Sequence, residues 1–372
     1  MPTPAPPGIY TEETSVAPAP IERLARDAAL FVGSLPDEAG DALLGPFTDP
    51  AGFEQACGPV DATAPDPLRR AAAAFFANGG RRLHVAPVAT GTGGEADAQA
   101  FSAALQASLV QDDIGVVAAP GASLLADREA IEDTLLAHVG TPGRWRFLVL
   151  DPPPGLDPGG VRAWRARLDS AHAATYYPWI IADAMPQPPS GFLCGVYAAV
   201  DAQQGTHRAP ANVALNGATG FERFLDKNEN EVLNPLGINC LRRFPGRGLR
   251  AWGARTLSRD PDWKYVNVRR LLDQLQLSLD RGLAWTAFEP QAESLWTRVR
   301  AQAGDFLFRQ WREGALMGNR PDEAWFVRCD RTTMTEADIE AGRLVCEIGV
   351  AVVKPAEFIV FRLALATAAA ME

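Results

Sequence analysis

Apolar and polar positions divide the chain into two rhythms. From Ala28 to about Ala182 short apolar runs alternate with stretches of three- and four-residue apolar spacing. In order these are AALFVG, LRRAAAAFFA, LHVAPVA, AFSAALQASL, IGVVAAP, REAIEDTLLAHVG, FLVL, GGVRAWRARLDSAH and TYYPWIIAD. Short unbroken apolar runs read as strands buried on both faces, and the spaced stretches as amphipathic helices. Their alternation predicts a parallel sheet covered on both sides. Asp66-Pro67 opens one helix and Gly79-Gly80 closes it, and Ser190-Gly191 opens another over FLCGVYAAVD. After about Asn234 the rhythm changes. NVRRLLDQLQLSLDRGL and QAESLWTRVRAQAGDFLFRQWREG read as two longer helices, while WFVRCD and two runs near the C-terminus read as strands.

Those two terminal runs end the chain with no partner strand in view. Leu344, Cys346, Ile348, Val350 and Val352 share a face of the first. Phe358, Ile359, Val360, Phe361, Arg362 and Leu363 form the second, after the Lys354-Pro355 break. Open strand edges invite pairing with another chain. The other end behaves alike: PTPAPPGIYTEETSVAPAP is too proline-rich to pack by itself, yet Gly8, Ile9, Tyr10, Thr11 and Glu12 alternate as a strand does. Both termini are expected to be arms that exchange strands with other subunits. The expected organisation is an arm over 1–20, an α/β parallel-sheet domain over 21–235, a smaller α+β domain over 236–355, and a C-terminal strand arm over 356–372.

A chain of 372 residues, 47% of them hydrophobic, suffices for two packed domains plus arms. Acidic residues outnumber basic ones 45 to 35, but unevenly: 28 against 15 before Leu236, and 17 against 20 from there on. Cys240 to Arg270 holds nine basic residues and only Asp260 and Asp262 in opposition. A basic surface on an acidic protein can bind nucleic acid. No stacking platform, zinc knuckle or helix-turn-helix accompanies it, so a solvated or inter-subunit face is expected and no direct nucleic-acid contact. No apolar stretch approaches the roughly 20 residues of a membrane span, and no signal pattern opens the chain, so no membrane insertion is expected. Cys57, Cys194, Cys240, Cys329 and Cys346 are odd in number and form no C-x-x-C pair, so they are expected to be reduced and mostly buried.

The sharpest candidate for chemistry is Asp151, His172 and Ser190, in the chain order of subtilisin-type triads. A helix-opening serine is a common cap, and an aspartate before three prolines a common strand-to-loop turn. Neither a nucleophile elbow nor an oxyanion donor is identifiable. Gly91-Thr92-Gly93-Gly94 lies where phosphate loops lie but lacks the Gly-Lys-Ser/Thr ending, and Glu95 and Asp97 would repel phosphate. His84, His138, His172 and His207 show no metal-ligand spacing. No catalytic role, cofactor or metal is expected.

Several segments, in order, resemble the contractile tail sheath family of myophages, R-type pyocins and phage-tail-like injection systems. They are Pro7 to Glu13, Gly45-Pro46-Phe47, Phe75 to Gly80, Pro189-Ser190-Gly191, Ala209 to Asn212 and Ile238-Asn239. Trp252 to Thr256, Tyr265 to Arg270 and Lys354 to Phe358 follow. The resemblance implies a structural protein whose middle domain is called subtilisin-like for its shape alone. It implies that both arms add strands to sheets of different neighbours, knitting hexameric rings into a helical mesh. At about 0.5–1.5 kcal/mol per hydrogen bond one donated strand contributes only a few kcal/mol, and repetition makes the mesh strong. The implied partners are the chain itself, an inner tube protein, a baseplate, and tail-terminator or cap proteins. Contraction from an extended to a shorter, wider lattice would drive the tube through a target envelope. Tube contact in the family comes from the C-terminal domain, making Arg298, Arg300, Arg309 and Arg312 the candidate tube-facing residues. Assembly would take place in the cytoplasm of the producing bacterium, before the sheath becomes part of a phage tail or tail-like particle. The alternative class is a static tail or shell subunit using the same arm exchange.

Overall fold

The alternating apolar runs assemble into one large sheet. A computed structural model describes residues 19–35, 42–60, 66–88, 96–287 and 289–355. The expected strand-exchange residues Gly8 to Glu12 and Phe358 to Leu363, and the Gly91 to Gly94 loop, lie outside the described residues.

The first part of the chain forms β1 (Ala28–Gly33), β2 (Leu44–Phe47), α1 (Pro50–Cys57), α2 (Pro67–Ala77), β3 (Leu83–Pro87), α3 (Ala98–Ala107), β4 (Ile114–Ala118) and α4 (Arg128–Gly140). It continues through β5 (Phe147–Leu150), α5 (Pro158–Ala166), β6 (Ala173–Tyr177), β7 (Ile180–Ala182), β8 (Met185–Gln187) and α6 (Pro189–Gln204). Then come β9 (Val213–Ala214), β10 (Gly220–Phe221), α7 (Lys227–Leu233), β11 (Ile238–Phe244) and β12 (Gly248–Trp252). Three helices start on the same dipeptide. Asp49, Asp66 and Asp157 accept the backbone N–H of Gly52, Arg69 and Gly160, and the proline that follows each has no N–H to leave unpaired.

The nine-stranded sheet runs β2-β3-β1-β4-β5-β6-β11-β12-β9. Strands β3 to β11 in that order are parallel, whereas β2, β12 and β9 pair antiparallel, so the sheet is mixed and parallel-rich. Alternate residues of β1 feed different cores, as the period of two demands. Ala29 and Phe31 join Phe75, Leu193 and Tyr197 under α2 and α6, while Leu30 and Val32 join Phe101, Leu105, Ile131 and Leu135 under α3 and α4. Helices α2 and α6 touch backbone to backbone: a Cβ on Gly191 would stand 2.6 Å from the Ala71 Cα, and one on Gly195 2.4 Å from the Phe75 carbonyl.

In this part of the chain three expectations change. TYYPWIIAD is not one strand, because Pro178 has no N–H to continue the ladder; β6 stays in the large sheet and β7 joins a separate one with β8 and β10. The helix expected through His172 ends at Ala166, where the buried Arg165 guanidinium donates to the carbonyls of Leu168 and Leu257 and draws the chain aside. The sheet also continues past residue 235, since β11 pairs with β6 and β12 follows it.

The remainder comprises α8 (Val266–Gly282), α9 (Glu293–Arg312), α10 (Pro321–Ala324), β13 (Trp325–Arg328), α11 (Glu336–Glu340) and β14 (Glu347–Val350). Leu271, Leu275, Phe306 and Leu307 form its core. The first terminal run does have a partner: β14 pairs antiparallel with β13, from Trp325 opposite Val350 to Arg328 opposite Glu347. Among the described residues this sheet has only two strands, so each keeps one unpaired edge.

Candidate assembly surfaces

The hydrolase constellation does not form. Asp151, at the end of β5, takes the Ser190 backbone N–H at 2.8 Å and its hydroxyl at 2.5 Å. Pro188 and Pro189 lack N–H groups, so Asp151 covers the first free donor of α6 from across the fold. Ser190 is 0% and Asp151 4% exposed, which leaves no path for a substrate. Burial outweighs both hydrogen bonds and pushes the Asp151 carboxyl up to about 7. His172 faces Asp273 of α8 at 3.5 Å instead, beside Arg269. Two of the other three histidines are also occupied structurally: His84 meets Asp113, and His138 lies between Arg144 and Arg146. Among the described residues no group of His, Cys, Asp or Glu could hold a metal ion. No described helix is long and apolar enough to cross a membrane.

The informative surface lies where residues 19–24 and residues 351–353 pack against α8 and its neighbours. Residues 19–24 run along α8 and α9. Leu24 donates its N–H to the Ser278 hydroxyl and accepts from the Gln274 amide, Gln302 donates to the Ala19 carbonyl, and Arg309 to the Ile21 carbonyl at 2.6 Å. Ile21 is 2% exposed in the same core as Leu271 and Leu275, and a Cβ on Gly282 would stand 2.6 Å from it. At the other end Val352 bridges Leu316, and Asn267 donates to the carbonyls of Val353 and His207. Both roots therefore rest on α8. The C-terminal root was legible as a break at Lys354-Pro355. The N-terminal one was not, because Ile21 is a lone apolar residue among charges.

The four candidate arginines of α9 do not form one cluster. Arg298, Arg309 and Arg312 fall on one exposed face with Asp305 among them, while Arg300 points elsewhere and donates to the Cys329 carbonyl. Arg298 pairs with Glu289 at 3.2 Å and stacks on Trp285, and Arg309 is spent on Ile21. The basic run from Cys240 to Arg270 is no single surface either. Arg255, Arg269 and Arg270 are 4%, 6% and 7% exposed, and Arg270 pairs with Asp201. Arg242, Arg243, Arg247 and Arg250 remain on the β11–β12 hairpin, with no carboxylate partner among the described residues. Arg242 and Arg247 lie over the Phe244 ring.

Comparison with known proteins agrees with this picture. Residues 91–257 match the model of the phage tail sheath protein central domain, and residues 258–366 that of the phage tail sheath C-terminal domain. A prophage major tail sheath protein of Pseudomonas aeruginosa (strain UCBPP-PA14) is 28% identical over 169 residues, 44% of this chain, and the match spans only 38% of that relative's length. The sheath of an extracellular contractile injection system, PVC, in its contracted state superposes with a TM-score of 0.82 at 29% identity, covering 98% of both chains. The contracted helical sheath of the anti-feeding prophage superposes with a TM-score of 0.81 at 30% identity, covering 97% of this chain and 99% of that one. The large parallel-rich sheet and these matches agree, and the chain belongs to the contractile phage tail sheath family, whose members are structural proteins rather than enzymes.

Proposed function

We propose that copies of this chain stack as hexameric rings around an inner tube and contract to drive that tube through a target envelope. The particle would be a phage tail or an extracellular tail-like injection machine, assembled in the bacterial cytoplasm and joined to a baseplate and a cap. The observation that carries this reading is the placement of both arm roots on α8. A subunit whose two arms leave from one rigid helix can rotate as a body during contraction while its links to neighbours stay joined. The two-stranded β13–β14 sheet, with an unpaired edge on each strand among the described residues, offers edges of the kind donated strands require. For tube contact, Arg298 and Arg312 are the best placed of the four candidates, because Arg300 and Arg309 already serve backbone carbonyls within the chain.

The test is assembly. The chain is co-expressed with the tube and baseplate proteins of its own gene cluster, and particles are imaged before and after a contraction trigger such as acid or urea. Two populations, long and narrow or short and wide, are expected. Particles of a single length and diameter under all conditions would instead indicate a static shell.

A further inference from the structure

Cys329 and Cys346 stand one step beyond the last registered pair of the β13–β14 ladder. Arg328 lies opposite Glu347, so antiparallel register sets Cys329 opposite Cys346. Both side chains pack together in the small cluster of Leu295, Trp296 and Val299. Opposed Cα atoms of an antiparallel ladder sit about 4.5 or about 5.5 Å apart. Both values fall inside the span of roughly 4.4–6.8 Å that a disulfide bridges. Cys57, Cys194 and Cys240 are buried in the cores of the large-sheet region instead.

We propose that Cys329 and Cys346 form a reversible dithiol–disulfide site that closes when the chain meets an oxidising medium. The bond ties the start of β14 to the end of β13 and closes the loop that carries α11. Access assigns the roles. Cys346 is half-buried and lines the long cleft beside α8, next to Ile348 and Leu279, whereas Cys329 is fully enclosed. Cys346 is the entry thiol and Cys329 the resolving thiol. With a disulfide oxidant such as oxidised glutathione, the Cys346 thiolate attacks one glutathione sulfur and expels the other glutathione as a thiolate. The Cys329 thiolate then attacks the Cys346 sulfur, forms the intramolecular bond and expels the second glutathione. The two protons lost from the cysteines end on the two glutathiones. Burial pushes both thiols up, Cys346 to about 12, so closure is slow near neutral pH and quickens as pH rises. Such a bond would be absent in a reducing cytoplasm and would form after release.

The test uses the full chain, purified reduced and equilibrated in glutathione buffers of rising oxidised fraction, then acid-quenched, alkylated and mapped by mass spectrometry. The expected product is a linked peptide pair containing Cys329 and Cys346, reversed by dithiothreitol, while Cys57, Cys194 and Cys240 remain alkylatable. Cys329→Ser should trap glutathione on Cys346, and Cys346→Ser should leave no glutathione adduct on Cys329. Proteolysis within residues 330–345 should slow about tenfold or more on oxidation, because the bond restrains a short loop. No linked pair at the most oxidising ratio, or linkage of Cys346 to another copy in its place, overturns the proposal.

Discussion

Replacing Asp151 by asparagine should stabilise this protein at alkaline pH, an outcome opposite to what a catalytic aspartate would give. The asparagine carbonyl can still accept the Ser190 N–H, and its amide can donate to the hydroxyl, so the shape and both contacts survive. What disappears is the cost of a buried charge. Burial raises the Asp151 carboxyl from 3.8 to about 7. A group whose folded pKa is raised contributes stability that is complete below the unfolded value and is lost as pH climbs through the folded one. The window therefore runs from about 4 to about 7, and between pH 5 and pH 8 the loss from this group is roughly 2–3 kcal/mol. His138 contributes the opposite slope, because burial and then Arg146 hold its pKa down at about 3. The quantity to read is therefore the difference between variant and wild type in urea unfolding at the two pH values. The excess of Asp151→Asn over wild type should be larger by roughly 2–3 kcal/mol at pH 8 than at pH 5. An equal difference at both pH values, or a variant weaker than wild type at pH 8, would refute the reasoning and mark Asp151 as an ionised helix cap.

Gly282→Val should push Ile21 off α8 and cost roughly 1–3 kcal/mol in thermal stability; polymerisation should fall with it, and normal sheath yield by sedimentation would show that the N-terminal root is not needed. Arg298→Glu together with Arg312→Glu should leave the monomer's stability nearly unchanged, since exposed pairs contribute about 0–1 kcal/mol each. Extended particles should nevertheless disappear in favour of contracted, tubeless ones, and high salt should shift wild type the same way; an unchanged count of extended particles in micrographs moves the tube contact elsewhere. Phe361→Pro, which deletes a ladder donor, and removal of residues 1–13 should each preserve the circular dichroism of the monomer yet block sheaths. Helical assembly at normal yield by either variant would exclude that segment from strand exchange.

The alternating core was legible because its signal is local. Unbroken apolar runs such as IGVVA and FLVL can be satisfied only with both faces covered, and the Asp66-Pro67 opening of α2 states its own hydrogen bond. The same dipeptide at Asp49-Pro50 opens α1, whereas Asp151-Pro152 opens nothing because two more prolines follow; it caps α6 from a distance, which no local pattern encodes. Pro178 divides a continuous apolar run between two sheets, and only the missing donor betrays it. The basic run from Cys240 to Arg270 misled because charge in sequence says nothing of depth: Arg255, Arg269 and Arg270 are interior, held by the Asn234 carbonyl, by Asp273 one turn on, and by the distant Asp201. The root of the N-terminal segment was invisible for the same reason, as its partners Ser278, Gln302 and Arg309 are more than 250 residues away.

The two roots on α8 also determine which part of the molecule would bear tension. Asn267 holds one root and Gln274 and Ser278 the other, a separation of about 16 Å along the helix axis at 1.5 Å per residue. A pull entering through one terminal segment and leaving through the other would cross that stretch of helix and its packing on α9, in series, and bypass the nine-stranded sheet. The large domain then hangs beside the line of tension as an unloaded flange. Its outer loops could accept insertions without weakening the chain of links, while a single helix-breaking change between Asn267 and Ser278 would sever it.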